Sequence, residues 1–191
     1  MKKDEVMKII KEWKEKHNIR LYTPYKYFKG IETKRMIIRR LNEMKKFRKE
    51  QNPTKINYTT DTKKKTKKSK YHSAFETRFK IPSSASLVEK SKISGVPLSI
   101  LKKVRARGIA AWKTGHRPNT TAPQWGNARV SSFLTLGCTA FSSDADLLHQ
   151  VNQLKRNAKL TKFFSQKPTC PKSKIIKNKN RSNFPSFLKT I

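Results

Sequence analysis

Acidic residues are scarce in this 191-residue chain, in which 12 Asp and Glu residues stand against 46 Lys and Arg residues. The last 41 residues contain no carboxylate side chain. A formal charge of +34 is too large for a self-contained globule, because a compact chain of this charge would repel itself. The composition therefore predicts an acidic partner, which is nucleic acid phosphate, anionic lipid or the acidic face of another protein.

Long apolar runs are also absent, since no segment approaches the ~18–20 residues that a membrane-spanning helix needs. We therefore expect no integral insertion into a membrane. The two cysteines, Cys138 and Cys170, are separated by 32 positions, with no CxxC pattern and no clustered histidine. A zinc site needs four ligands in close array, so we predict no metal, no cofactor and two reduced thiols in an intracellular protein.

Signatures of catalysis are missing as well. The chain contains no Walker loop, no GxSxG, no HExxH and no paired acid–base motif, so the predicted function is non-enzymatic. Hydrophobic residues make up 35% of the chain, against about 45–50% in typical globular domains. This composition favours a core of moderate size that carries basic arms.

Residues 1–48 have the pattern of two helices joined by an extended loop. The first helix has an apolar stripe at helical spacing, formed by Val6, Ile9, Ile10 and Trp13. A second helix is predicted to begin after Thr33, a favourable N-cap. Its outer face carries Arg35, Arg39 and Arg40. The arrangement resembles the small DNA-binding module called SAP, which implies that these arginines bind DNA; the alternative is a helical hairpin that docks on a protein.

Residues 49–72 lack hydrophobic periodicity and are predicted to form a flexible linker. They contain the densest cationic cluster of the chain, which consists of Lys63, Lys64, Lys65, Lys67 and Lys68. Such a cluster is typical of a nuclear targeting signal, of a phosphate-binding patch or of an ordinary solvated linker. On the second interpretation, these lysines bind the acidic partner.

The segment 86–107 follows the pattern of a helix-turn-helix motif. A short helix precedes a turn at Gly95, and Pro97 suits the first position of the next helix. The outer face of that second helix, which enters the major groove in such motifs, carries Lys102, Lys103, Arg105 and Arg107. Lys90 occupies a position that the motif usually fills with an apolar residue. The alternative interpretation is a helical pair that only builds a small core.

A distinctive series of short motifs follows: Arg107-Gly108, Ala111–Pro118, Gln124-Trp125, Ala128-Arg129, Ser132-Phe133 and Asp144–Leu147. The whole run, about residues 75–150, resembles an uncharacterised domain in proteins of large nucleocytoplasmic DNA viruses and some large phages. The resemblance implies a viral context, and it implies no mechanism.

Candidates for contact with phosphate in this series are Lys113, His116 and Arg117. Asp144 and Asp146 form the close carboxylate pair that a two-metal nuclease would need. We favour the interpretation that Ser143 and Asp146 cap the helix that begins here, because both acids would then lie in its first turn.

Residues 161–191 combine lysines with isolated apolar pairs and three prolines, and they are predicted to form an extended basic tail that lies along its partners. The complete prediction is a mainly α-helical protein. It comprises a helix-loop-helix module (1–48), a basic linker (49–72), a helical central domain with a helix-turn-helix-like pair (73–160) and the tail (161–191).

The predicted function is that of a structural virion protein of a large DNA virus, which belongs to a large assembly and binds viral DNA during packaging or condensation. We expect it in the virion and, during assembly, in the host nucleus or a viral factory. One alternative is a minor capsid (cement) protein that threads between acidic capsid subunits or between the capsid and an inner membrane. Another is a helix-turn-helix transcription regulator.

Overall fold

The computed structural model describes residues 1–50, 52, 56–61, 68–114, 119–155 and 157–179, of which 176–179 are described by their backbone alone. The α-helices in this part of the chain are α1 (Lys3–His17), α2 (Lys34–Phe47), α3 (Lys70–Phe79), α4 (Leu87–Ser94), α5 (Leu98–Thr114), α6 (Ala122–Leu134), α7 (Ala145–Asn152), α8 (Ala158–Ser165) and α9 (Lys172–Lys179). The described residues contain no β-strand, so the prediction of a mainly α-helical protein is confirmed. None of the described helices is both long and apolar enough to cross a membrane.

The chain divides into two compact units. Unit 1 comprises residues 1–66 and 109–125, and unit 2 comprises residues 67–108 and 126–191. The units are discontinuous in sequence, whereas the segments predicted from the sequence are continuous. The difference arises because Trp112 of α5 and Ala122 of α6 belong to the apolar cluster of unit 1, while Val104 and Val130 of the same two helices belong to that of unit 2.

Unit 1 is built on the packing of α1 against α2. The apolar stripe predicted for α1 is buried in this contact, and it consists of Val6, Ile9, Ile10 and Trp13. Thr33 is the N-cap of α2, as predicted, and its Oγ1 accepts a hydrogen bond of 3.3 Å from the Met36 amide. A 3₁₀ turn at Tyr25–Tyr27 lies in the segment between the two helices. The predicted helix-loop-helix arrangement is therefore present.

Unit 2 contains the predicted pair of helices, α4 and α5. Ser86 and Glu89 form a reciprocal capping box at the start of α4, and Gly95 ends the helix at φ 76°. A side chain at Gly95 would be strained by this φ, and its Cβ would also lie 2.9 Å from Cβ of Lys159 in α8. The turn between α4 and α5 therefore depends on glycine twice, once for its backbone angle and once for the close approach of α8.

Lys90, which departs from the usual pattern of a helix-turn-helix, is buried in unit 2 with 1% of its surface exposed. Its Nζ donates a hydrogen bond of 2.6 Å to the Ser83 carbonyl and lies 5.4 Å from the centre of the Phe75 ring. Burial lowers the pKa of Lys90 below its ordinary value, because the charged form loses its hydration. A single carbonyl and a ring face thus replace the water shell of this amine.

The prediction of an extended tail from residue 161 onward is wrong for the part that the structure describes. Residues 158–165 form α8 and residues 172–179 form α9. Leu160, Phe163 and Ile175 are buried in the apolar cluster of unit 2. The three residues lie on the inward sides of α8 and α9, so these two helices pack onto the core. Residues 180–191 lie outside the described residues.

The prediction of two reduced thiols is also wrong, because Cys138 and Cys170 form a disulfide. The fold brings the two residues together by backbone hydrogen bonds: the amides of Thr169 and Cys170 donate to the carbonyls of Thr135 and Leu136, at 3.1 and 3.3 Å. A sequence separation of 32 residues hides this proximity, since α7 and α8 lie between the two cysteines in the chain.

We expect the Cys138→Ser/Cys170→Ser variant to lose about 3–4 kcal/mol of unfolding free energy, because opening a loop of this length restores entropy to the unfolded chain. Urea unfolding followed by circular dichroism, with and without a thiol reductant, measures the loss. Reductant should destabilise the parent chain and leave the double variant unchanged. Identical unfolding midpoints for the parent chain in the two conditions would contradict the structural role of the disulfide.

Lys90 should make stability rise with pH in the alkaline range. Its pKa is lower in the folded state than in the unfolded state, so between the folded pKa and the ordinary value of 10.5 the unfolded chain binds more protons. Relative to Lys90→Met, the parent chain should therefore gain unfolding free energy as pH rises towards about 10.5. The matched control is Lys92→Met, at an exposed position of the same helix. Parallel curves for the parent chain and Lys90→Met would rule out the proposed pKa shift.

Candidate nucleic-acid interface

Helix α5 is held in unit 2 by its inner face. Ile100, Leu101 and Val104 are buried there. At Gly108 the helix lies against α6 so closely that an added Cβ would be 2.8 Å from Cα of Gly126. A side chain at Gly108 would force the two backbones apart, so this crossing fixes the position of α5 on the unit.

The two edges of α5 are held by arginines. Arg105 Nε donates a hydrogen bond of 3.0 Å to Asn127 Oδ1 of α6. Arg107 donates from Nη1 and Nη2 to the two carboxylate oxygens of Asp146 in α7, both at 2.7 Å. These hydrogen bonds lower the pKa of Asp146 and raise that of Arg107. Both arginines were predicted to face an acidic partner, and the structure places them in contacts within the unit.

Between these edges lies the α5 outer face, a surface that we define by Ser99, Lys102, Lys103 and Ala106. All four residues are exposed. Neither lysine forms an ion pair with any of the described residues. The two lysines predicted for this helix therefore have no ion-pair partner among the described residues, whereas the two arginines are tied to neighbouring helices.

The carboxylates of the predicted series form a structural cluster. Asp144 is fully buried, and its two oxygens accept hydrogen bonds from Arg129 Nε and Nη2, each at 2.8 Å. Arg107 Nη1 lies 3.5 Å from the same carboxylate. The residues of the Arg107-Gly108, Ala128-Arg129 and Asp144–Leu147 motifs thus meet in one place and fasten α5, α6 and α7 together.

The predicted capping of α7 by Ser143 and Asp146 is replaced by this cluster. Asp144 is the N-cap residue, and its side chain makes no capping hydrogen bond. Ser143 Oγ accepts a hydrogen bond of 2.7 Å from Arg129 Nη2 instead. Two guanidinium groups are stronger partners for these oxygens than a backbone amide, because their hydrogen bonds are charge-assisted.

The outer face of α2 in unit 1 carries a second set of cations. Arg35, Arg39 and Lys46 are exposed and line one shallow groove together with Asn42. These four residues follow each other at spacings of four, three and four positions, so they lie along one side of the helix. We call this surface the α2 outer face.

Arg40, predicted to lie on that face, points inward and is 3% exposed. Its guanidinium donates to the carbonyls of Tyr27 and Thr60 and, at 3.0 Å, to Asp61 Oδ1. Glu43, one turn later, accepts hydrogen bonds from the amides of Thr59 and Thr60 at 3.1 and 3.3 Å. The prediction for Arg40 is wrong because the segment 58–61 crosses α2 on that side, which turns a surface arginine into a structural one.

Of the remaining predicted cations, two lie among the described residues. Lys68 pairs with Glu76, and this contact, with two hydrogen bonds from Ser83, lowers the pKa of Glu76 to about 2. Lys113 is half-buried on α5. The other members, Lys63, Lys64, Lys65, Lys67, His116 and Arg117, lie outside the described residues.

One hydrogen bond joins the described ends of the two segments that contain those cations. The amide of Asn119, which follows residues 115–118, donates at 2.9 Å to Oδ2 of Asp61, which precedes residues 62–67. Asp61 therefore accepts from α2 through one oxygen and from residue 119 through the other. In the part of the chain that the structure describes, no group of three or more His, Cys, Asp and Glu side chains is placed to hold a metal ion.

The two aspartates of the Arg107–Arg129 cluster should differ sharply in their effect on stability. Asp144→Asn leaves two arginines facing a buried neutral group, and breaking a buried pair in this way costs about 3–5 kcal/mol. Asp146→Asn removes a carboxylate that is half exposed, and exposed pairs contribute about 1 kcal/mol or less. Urea unfolding of the two variants makes the comparison. Equal losses would show that Asp144 does not organise the cluster.

Comparison with protein families shows a match over most of the chain. Residues 24–152 match a family described only as a family of unknown function (DUF5824). Comparisons with curated proteins and with solved structures give no match. The matched range extends from the 3₁₀ turn of unit 1 to the end of α7, so it includes both outer faces and the Asp144 cluster. With more than half of its residues in this match, the chain belongs to the DUF5824 family.

Proposed function

We propose that this chain is a non-enzymatic virion protein that binds viral duplex DNA through exposed lysines and arginines on several surfaces, and so helps to package or condense the genome. The observation that carries the proposal is that the few carboxylates of unit 2 are all bound within the unit and leave most of its described exposed lysines unpaired. This unit has four of them, Glu76, Glu89, Asp144 and Asp146, against 23 lysines and arginines.

All four carboxylates of unit 2 are engaged inside the unit. Glu76 binds Lys68 and Ser83, and Glu89 caps α4. The two aspartates bind Arg107 and Arg129. Among the described residues, the exposed lysines without an ion pair in this unit include Lys80, Lys92, Lys102, Lys103, Lys155, Lys162, Lys167, Lys172 and Lys174. A surface of this kind lacks internal counter-charge, and a polyanion supplies it.

In unit 1, the exposed cations of α2 also lack a close carboxylate partner among the described residues. Glu43 faces the segment 58–61 and lies only at the limit of an ion pair with Arg39, 4.0 Å from its Nε. Arg35 and Lys46 form no ion pair with the described residues. The α2 outer face therefore offers a second row of cations, which suits binding at several points along a phosphate backbone.

The viral part of the proposal is supported by the resemblance of residues 75–150 to a domain of large nucleocytoplasmic DNA viruses. The disulfide fits the same setting, because disulfides persist where the cytosolic reductants are absent, as in a particle outside the cell. We assign no reaction to the chain. Asp144 and Asp146, the carboxylates that could have served one, are held by Arg107 and Arg129.

The alternative proposal is a cement protein that threads between acidic capsid subunits. It depends on a long extended basic segment at residues 161–191. Because Leu160, Phe163 and Ile175 are buried in the core of unit 2, much less of this segment is available to thread between other proteins. DNA binding needs only the exposed faces, and it is the function that these contacts support better.

Affinity for a random-sequence DNA duplex should fall steeply with salt, by about 10³–10⁵-fold between 50 and 200 mM if 6–10 phosphates are contacted. In the variant Lys102→Gln/Lys103→Gln, the plot of log affinity against log salt should become less steep. Its slope should shrink in magnitude by about 1.8, because two phosphate contacts are lost. Fluorescence anisotropy with a labelled duplex measures both quantities.

The matched control is Lys102→Arg/Lys103→Arg, which keeps both charges and should keep the slope. A parent chain that fails to bind the duplex at the lower salt concentration would overturn the proposal. Retained incorporation into particles by a variant that no longer binds DNA would favour the cement protein instead.

A further inference from the structure

The α5 outer face has an arrangement that a merely charged surface does not need. Successive residues of an α-helix are ~100° apart, so Ser99 and Ala106 lie within about 20° of each other around the helix axis. Lys102 and Lys103 lie about 50° to either side of this line. The central line of the α5 outer face therefore carries a hydroxymethyl and a methyl group, with one lysine on each flank.

The edges of this face are tied to the rest of the unit. Arg105 and Arg107 lie about 90–110° from the central line, and each is bound to a neighbouring helix, α6 or α7. No carboxylate of the described residues is paired with the two lysines. The face is thus narrow, small in its centre and cationic on both flanks, and the crossing at Gly108 holds it in place.

From this arrangement we infer that the first two to three turns of α5 enter the major groove of B-form DNA, with Lys102 and Lys103 each reaching a phosphate backbone on one wall. The inference rests on the proposed DNA binding and assigns it a site and a duplex form. The major groove of B-DNA is about 12 Å wide and admits one α-helix. Small residues on the leading line let the helix axis approach the base edges, and lysines on the flanks meet the groove walls.

The same geometry predicts how selective the contact is. The central line contains one hydrogen-bonding side chain, the Ser99 hydroxyl, and none of the Arg, Asn or Gln side chains that read bases through paired hydrogen bonds. The contact is therefore tolerant of base sequence. It is selective for duplex form, because the major groove of A-form RNA is deep and too narrow for side chains to read.

The test separates groove insertion from attraction to phosphate alone. Three probes are compared at equal salt: a DNA duplex of about 20 base pairs, an RNA duplex of the same sequence and one of the DNA strands. Groove insertion predicts that the parent chain binds the DNA duplex at least tenfold more tightly than the RNA duplex. It also predicts that Ala106→Phe loses at least tenfold in affinity for the DNA duplex, although no charge has changed.

The matched control is Ala158→Phe, at an exposed alanine at the start of α8 in the same unit. It should bind the DNA duplex like the parent chain, and circular dichroism with urea unfolding verifies that both variants are folded. Equal binding of the DNA and RNA duplexes, or an Ala106→Phe variant that binds like the parent chain, overturns groove insertion and leaves the proposed DNA binding intact. Absence of binding to all three probes at 50 mM salt overturns both.

Discussion

The ion pair between Asp144 and Arg129 is the contact on which the rest of unit 2 depends. The carboxylate is fully buried and receives two hydrogen bonds from one guanidinium, while Arg107 approaches from a second helix. The chain has only 12 acidic side chains, and this one is used to hold the fold together. As a result, α5, α6 and α7 are joined at one point, and this junction sets the direction in which the α5 outer face points.

A division of labour between arginine and lysine follows from the same scarcity. Arg40, Arg105, Arg107 and Arg129 all make hydrogen bonds within their unit. The planar guanidinium can satisfy several acceptors at fixed angles, which makes it suited to partly buried positions. Lysine is a mobile and strongly hydrated point charge, and it supplies most of the exposed cations of unit 2. The buried Lys90 is an exception, and its pKa is lowered because burial disfavours the charged amine.

Periodic features of the fold could be predicted from the sequence, and long-range pairings could not. The stripe of α1 and the N-cap at Thr33 follow from local spacing, and the structure has both of them. The inward turn of Arg40 depends on a segment 18–21 residues away crossing α2, and the disulfide joins two residues that α7 and α8 separate in the chain. The Asp144 cluster lies between these cases: its motifs stood out in the sequence, but nothing in their spacing indicated that they meet each other.

The disulfide also determines how the chain carries mechanical load. Residues 138 and 170 close a covalent ring that contains α7 and α8. A pull on the C-terminus is transmitted through Cys170 directly to Cys138, so the two helices inside the ring bear no tension while the bond is intact. Enzymes that thread a protein from its C-terminal end would therefore meet a double-chain obstacle at residue 170, and reduction would convert it into a single strand that they can draw through.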